Sequence, residues 1–99
     1  MIARVWKGLV AAKDAGVYRD YLRDTGLAEY EASTGNMGAY ALTSVHDEIA
    51  EIMTISLWES IDALKHFAGE EDYTVAKFYP EDERYLLAAD PVATHYEVD

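Results

Sequence analysis

Few side chains in this sequence can move protons or hold charge. The three histidines are His46, His66 and His95. Their separations give no HxH or HxxxH spacing, and no carboxylates stand in a facial-triad pattern, so no metal centre is expected. His46 falls in a polar connection and reads as solvated. His66 sits in a short helical stretch, two residues beyond the apolar Leu64. There it can point into a cleft, where a near-neutral pKa suits a base, or be a half-buried histidine bonded to backbone. His95, between Thr94 and Tyr96, carries the same two options, decided by the strand face it occupies. Arg4 is expected on one strand face with Trp6. It can clamp an anionic substrate group or stabilise an enolate or peroxy anion, or it can pair with a carboxylate at a sheet end or dimer interface. The run Glu81-Asp82-Glu83-Arg84 reads as solvated helix surface or dimer contact.

Aromatic rings are abundant, with eight tyrosines, two tryptophans and two phenylalanines. Trp6, Tyr40, Trp58, Phe67 and Tyr79 can line a pocket for a flat aromatic molecule; the same spacing equally suits a core. No cysteine is present, which removes disulfides, thiolate metal sites and a cysteine nucleophile and fits a reducing compartment. GxGxxG, GxxxxGK[ST], GxSxG and HExxH are absent, leaving nucleotide cofactors, serine hydrolysis and zinc peptidase chemistry without support.

These groups must be held by one small scaffold. Ninety-nine residues correspond to one domain, 1–99, which buries only about two-thirds of its unfolded surface, so self-association would add burial. A net charge of −11 repels phosphate backbones and anionic lipid, so no nucleic-acid or membrane partner is expected. The chain shows neither a signal-peptide pattern nor an apolar run that would span a bilayer, which makes the cytoplasm the expected location.

The hydrophobic pattern predicts a strand over 2–10 and a helix from Lys13 or Asp14, with a stripe of Tyr18, Tyr21 and Leu22. Gly26 is its expected C′ residue, with one further turn over Leu27 to Tyr30. Thr34 to Gly38 form a turn, followed by strands over 37–45 and 49–58 paired as a hairpin. Ser60 is the expected N-cap of a helix striped by Ile61, Leu64, Phe67 and Ala68 and ended by Gly69. Glu70-Glu71-Asp72 favour another helix to about Tyr79, and Pro80 opens a last turn through Leu87. Residues 92–98 form the final strand. The order βαββαβ predicts an α+β, ferredoxin-like fold: a four-stranded antiparallel sheet with helices on one face. Strand 49–58 is apolar on both parities, with Ile49, Met53, Ile55 and Leu57 on one and Ala50, Ile52, Thr54 and Trp58 on the other. A sheet with one wet face should show one polar parity. A second copy covering the open face would give a homodimeric α/β barrel.

The run Leu57-Trp58-Glu59-Ser60, with Ala63, Phe67-Ala68-Gly69, Ala76, Tyr79-Pro80, Leu86-Leu87 and His95-Tyr96-Glu97-Val98, resembles the antibiotic-biosynthesis-monooxygenase family from Trp6 to Val98. That family includes cofactor-free quinone-forming monooxygenases, haem-degrading enzymes and enzymes that process signal molecules. In members that oxidise polyketide-derived phenols, the Trp-Glu-Ser run closes the third strand, with an asparagine four residues before the tryptophan and a tyrosine six after. Trp58 matches here, while Thr54 and Leu64 occupy the other two positions. In the haem-degrading relatives an iron-ligating histidine follows the third strand, where this chain has Lys77 by ungapped spacing. Their first-strand asparagine falls at Trp6 or Lys7. Haem is therefore not expected.

The resemblance implies a cofactor-independent monooxygenase acting on an aromatic or enolisable compound. A base, an apolar pocket and anion-stabilising donors would suffice for it. His66 or His95 is the expected base, Arg4 the anion partner, and Trp58, Trp6, Tyr40, Tyr79 and Thr54 the substrate contacts, with no metal and no cofactor. The competing expectation is a non-catalytic dimer that binds a small hydrophobic ligand or partner.

Overall fold

Alternation along the strands lets the two at the centre of the sheet bury one face each, while the edge strand over 36–46 stays half-buried to exposed. The computed structural model describes residues 1–69 and 72–99. The strands β1 (Ile2–Ala11), β2 (Asn36–His46) and β3 (Ile49–Trp58) lie antiparallel in the order β2-β3-β1. The free edge of β1 is taken at its two ends by β4 (Leu86–Ala89) and β5 (Thr94–Glu97). The sheet thus has five strands where four were expected. The extra one arises by interruption. Gly8 pairs with Ala89 and Arg4 with His95, so β4 and β5 follow one antiparallel line broken at Asp90 to Ala93. Pro91 has no N–H for the ladder. The carbonyls and amides freed by the break are reused: Trp6 Nε1 donates to Asp90 O at 3.0 Å, Ala76 N to Pro91 O at 3.0 Å and Ala93 N to Thr74 O at 2.7 Å.

The last two of these bonds stitch the segment 72–81 to the sheet edge. A helix was expected from Glu70 to Tyr79. Glu70 and Glu71 lie outside the described residues, and 72–79 is irregular, with one bridge from Val75 to Val92. Its carbonyls at Tyr73 and Val75 are spent on Arg4, not on a helical ladder. The turn expected after Pro80 is short, and Leu86 already belongs to β4.

The first helical arm is longer than predicted. A 3₁₀ turn, Ala12–Asp14, leads into α1 (Ala15–Leu22), a wide π turn over Arg23–Leu27, and α2 (Ala28–Ala32). Gly26 sits inside the π turn, buried, and does not end the helix. Thr25 Oγ1 donates back to Tyr21 O at 2.7 Å, a competition for the carbonyl that bends helices. The third helix, α3 (Ile61–Ala68), is capped as expected: Ser60 Oγ accepts from Ala63 N at 3.1 Å and Gly69 follows at φ 96°. The single turn α4 (Asp82–Tyr85) precedes β4.

All helices cover one sheet face, in an α+β, ferredoxin-like arrangement. The even parity of β1 and β3 points inward: Val10, Ala50 and Ile52 pack against Ala15, Tyr18 and Leu22, with Tyr21, Tyr85 and Leu86 around them. The opposite face stays open, with Tyr40 57% and Leu42 50% exposed on β2 beside the half-buried Met53, Ile55 and Leu57 of β3. Among the described residues no helix is long and apolar enough to cross a membrane.

Candidate functional site

The inner sheet face becomes polar where β1 and β3 run past the π turn. Trp6 lies opposite Thr54 and Arg4 opposite Ser56, and all four are buried. Arg4 is 2% exposed. Its Nη1 donates to Tyr73 O at 2.5 Å and to His95 Nε2 at 3.0 Å, and its Nη2 to Val75 O at 3.2 Å. Its Nε is buried with no partner among the described residues. No carboxylate lies within 4.0 Å of it among those residues either. A buried cation held only by neutral acceptors is costly, and an empty donor on it calls for a ligand or a water.

Beside Arg4 lies a small, partly open cavity of about 30 Å³, room for roughly one or two waters. Trp6 and Thr54 form its sheet wall. Tyr18, Leu22, Gly26, Leu27 and Tyr30 come from the helical arm, and Ala76, Lys77, Tyr79 and Asp82 from the roof segment and α4. A Cβ on Gly26 would sit 3.8 Å from the Tyr79 ring, so the π turn brings the arm close to the roof. π turns of this kind recur at functional sites.

Two hydrogen-bonded groups fasten the roof. Glu29 accepts from both Lys77 Nζ and the Tyr79 hydroxyl. Desolvation pulls the Glu29 pKa upward, but the bonds from Lys77 and Tyr79 outweigh it and hold the carboxyl below its usual range. Burial, then the bond to Glu29, pushes the Tyr79 hydroxyl well above the usual phenol range, so it stays protonated. Deeper in, Asp82 is 5% exposed; its Oδ1 accepts from the Tyr18 hydroxyl at 2.9 Å and its Oδ2 from Tyr79 N at 2.7 Å. Burial, followed by Asp82, raises the Tyr18 pKa strongly.

Of the side chains singled out by sequence, Arg4, Trp6, Thr54 and Tyr79 meet at this cavity. His95 stands behind Arg4 on the neighbouring strand. An arginine only donates, so His95 Nε2 carries the lone pair and the ring is neutral. Desolvation and then the Arg4 charge depress its pKa accordingly. Trp58 is fully buried outside the cavity wall, donating from Nε1 to Ser56 Oγ at 3.0 Å and packing on Phe67 at 5.5 Å and Tyr30 at 6.1 Å. It touches the site through Tyr30. His66 is exposed on α3, in a surface dent with Ser33, Thr34 and Glu59. Tyr40 is on the open face of the sheet, across from the cavity. His46 is exposed beside Ser44. Asp82 corrects the reading of 81–84 as solvated: Glu81, Glu83 and Arg84 are exposed, but Asp82 turns inward to Tyr18.

Glu29, Tyr18, Tyr30 and Asp82 were not anticipated. The signal available for the first arm was Thr25-Gly26, a weak helix pair within a continuous apolar stripe. Among the described residues, no group of three or more His, Asp or Glu is placed to hold a metal ion.

No protein-family model matches the sequence, and no curated protein matches it. Solved structures do match. One is a Bacillus cereus protein described as an antibiotic biosynthesis monooxygenase, with a TM-score of 0.69 and 18% identity over 98% of this chain and 91% of that one. Another is a variant of MhuD with two manganese protoporphyrin IX molecules bound per active site, with a TM-score of 0.61 and 18% identity over 99% of this chain and 94% of that one. The chain therefore has the fold of antibiotic-biosynthesis-monooxygenase proteins, as the resemblance around Trp58-Glu59-Ser60 implied.

Proposed function

We propose that a chain with this fold uses the Arg4 cavity to activate a small aromatic or enolisable compound toward dioxygen, without a cofactor. The observation that carries this reading is Arg4: buried, with no carboxylate partner and no acceptor for its Nε–H among the described residues, beside a cavity walled in part by Trp6, Tyr18, Tyr30 and Tyr79. Such a donor is suited to an anion that forms during reaction, since a fixed charge in a dry site stabilises it without reorganising. A substrate CH₂ in its enol form that gives its O–H proton to a base of the cavity leaves an enolate whose oxygen Arg4 can hold. That anion passes an electron to dioxygen, and recombination gives a hydroperoxide. Loss of water then leaves a carbonyl, so CH₂ and O₂ become C=O and H₂O. Trp6, Tyr30 and Tyr79 would flank the rings of the substrate and Thr54 would contact it. His95 would serve by holding Arg4, because its Nε2 is occupied.

The cavity as closed is smaller than any such substrate. The roof segment 72–81 would have to lift for binding, and its fastening through Glu29 is a side-chain contact that can release. Two copies packed through the open sheet face would cover Tyr40 and Leu42 and complete a dimeric barrel, an arrangement supported by the exposed apolar side chains there.

Haem does not fit the residues present. Lys77 bonds Glu29, His95 Nε2 bonds Arg4 and His66 faces outward, so no histidine in the structure is free at the cavity to ligate iron. Added hemin is expected to give no Soret shift. Oxygen uptake with a dihydroxyanthrone, which carries the CH₂ beside its conjugated ring system, tests the leading reading. Uptake above buffer is expected, falling roughly 100-fold or more in Arg4→Met. Wild-type uptake at the buffer rate would leave the non-catalytic binder as the better account.

A further inference from the structure

Two ionisable groups on the cavity wall are buried with no opposite charge beside them among the described residues. Arg4 and Asp82 are 2% and 5% exposed, and neither has an ion-pair partner within 4.0 Å among the described residues. Buried charges are normally paired, because desolvation of each costs several kcal/mol. Both also keep unused capacity. The Arg4 Nε–H has no acceptor among the described residues. A carboxylate offers about four lone-pair positions. Asp82 has filled one on each oxygen, with Tyr18 and with the Tyr79 amide.

Three further titratable groups near the cavity are already committed. Tyr79 gives its hydroxyl hydrogen to Glu29, Glu29 is spent on Lys77 and Tyr79, and His95 Nε2 accepts from Arg4. Among the described residues lining the cavity, Asp82 is the sole carboxylate. Besides the Thr54 and Tyr30 hydroxyls and Lys77, which is bonded to Glu29, the cavity lining thus pairs one buried cation, Arg4, with one buried carboxylate, Asp82. Its complement is a flat molecule carrying a hydroxyl and a conjugated carbonyl.

We propose that Asp82 is the proton acceptor of the site and that it works with Arg4 to select hydroxy-carbonyl compounds. This rests on reading the Arg4 cavity as the substrate site. The substrate hydroxyl donates to a free lone pair of Asp82, and its carbonyl accepts from Arg4 Nε. When the O–H bond breaks, the proton goes to Asp82 and the electron pair stays on the substrate. Conjugation then carries the negative charge to the carbonyl oxygen at Arg4. Tyr18 is a positioning residue that fixes the Asp82 carboxylate through its hydroxyl.

The test uses non-oxidisable fragments: ortho-, meta- and para-hydroxyacetophenone, which span three donor–acceptor separations, and their methyl ethers. Affinities are measured by NMR titration of the full-length protein. At least one hydroxy compound is expected to bind the wild type roughly 10-fold or more tighter than its ether, the worth of one charge-assisted hydrogen bond. Asp82→Asn should abolish that preference, and an amide spectrum matching the wild type's away from the cavity reports that the variant is folded. A wild type that binds all six alike overturns the proposal without any variant, as does an Asp82→Asn protein that keeps the preference. Failure of the oxygenase reading looks different: the preference is present and the dihydroxyanthrone gives no oxygen uptake. Uptake with no hydroxyl preference would overturn the role of Asp82 alone.

Discussion

Arg4 is oriented from three sides, by the carbonyls of Tyr73 and Val75 and by the imidazole of His95. The last contact has a consequence for stability. His95 has a folded pKa depressed below its ordinary 6.5 by desolvation and by Arg4. The unfolded chain therefore binds more protons just below that value, and stability falls as pH drops from 6.5 through the folded pKa. Urea unfolding at about pH 7 and about pH 5.5 should show a lower midpoint at the acidic value. His95→Gln, which keeps an acceptor for Arg4 but cannot protonate, should shrink that difference. An equal difference in both proteins would mean that other groups carry it. Arg4, Trp6 and Thr54 were legible in the sequence as neighbours on one sheet face because strand parity is a local property, whereas Tyr79 reaches the cavity from an irregular segment and not from the expected helix. The inward turn of Asp82 was not legible, since three solvated neighbours at 81, 83 and 84 hide it and its partner Tyr18 lies 64 positions away.

At the scale of elements, the site is made by two irregularities. The π turn carries Gly26 and Leu27 to the cavity, and the break at Asp90 to Ala93 ties segment 72–81 to the sheet as a roof. The second was misread as helix because Glu70-Glu71-Asp72 suits a helix start; the bonds that override this come from Arg4 and from the strand break, both distant in sequence. By contrast, the hairpin 36–58 and the Ser60 cap were readable because turn and cap chemistry act within a few residues. If Glu29 fastens the roof, Glu29→Gln should weaken the bond to Lys77 and speed ligand association several-fold, with a smaller change in affinity. The Lys77–Glu29 pair is partly exposed, so the variant should lose at most about 1 kcal/mol of stability. Stopped-flow association of the tightest hydroxyacetophenone measures the rate; an unchanged rate would show that the roof opens elsewhere.

For the molecule as a whole, the two sheet faces divide the labour. One is covered by helices and holds the cavity, while the other exposes Tyr40, Leu42 and Tyr96 at 50% or more. The apolar parity of strand 49–58 anticipated this second face, because period-two alternation is a direct property of the strand. Leu42→Lys is expected to convert a dimer into a monomer in sedimentation equilibrium without unfolding it, since the side chain is already half exposed. A wild type that sediments as a monomer would remove the barrel from the account and leave the cavity intact.

The central claim is that ligands enter beside Arg4 on the helix-covered face. The Arg4 Nε–H resonance reports this directly, because that hydrogen has no acceptor among the described residues. Titration with the hydroxyacetophenone of highest affinity should shift this resonance, assigned by its loss in Arg4→Lys, together with the amides of Thr54 and Gly26. A resonance that stays still while the amides of Tyr40 and Leu42 move would place the ligand on the open sheet face and contradict the account.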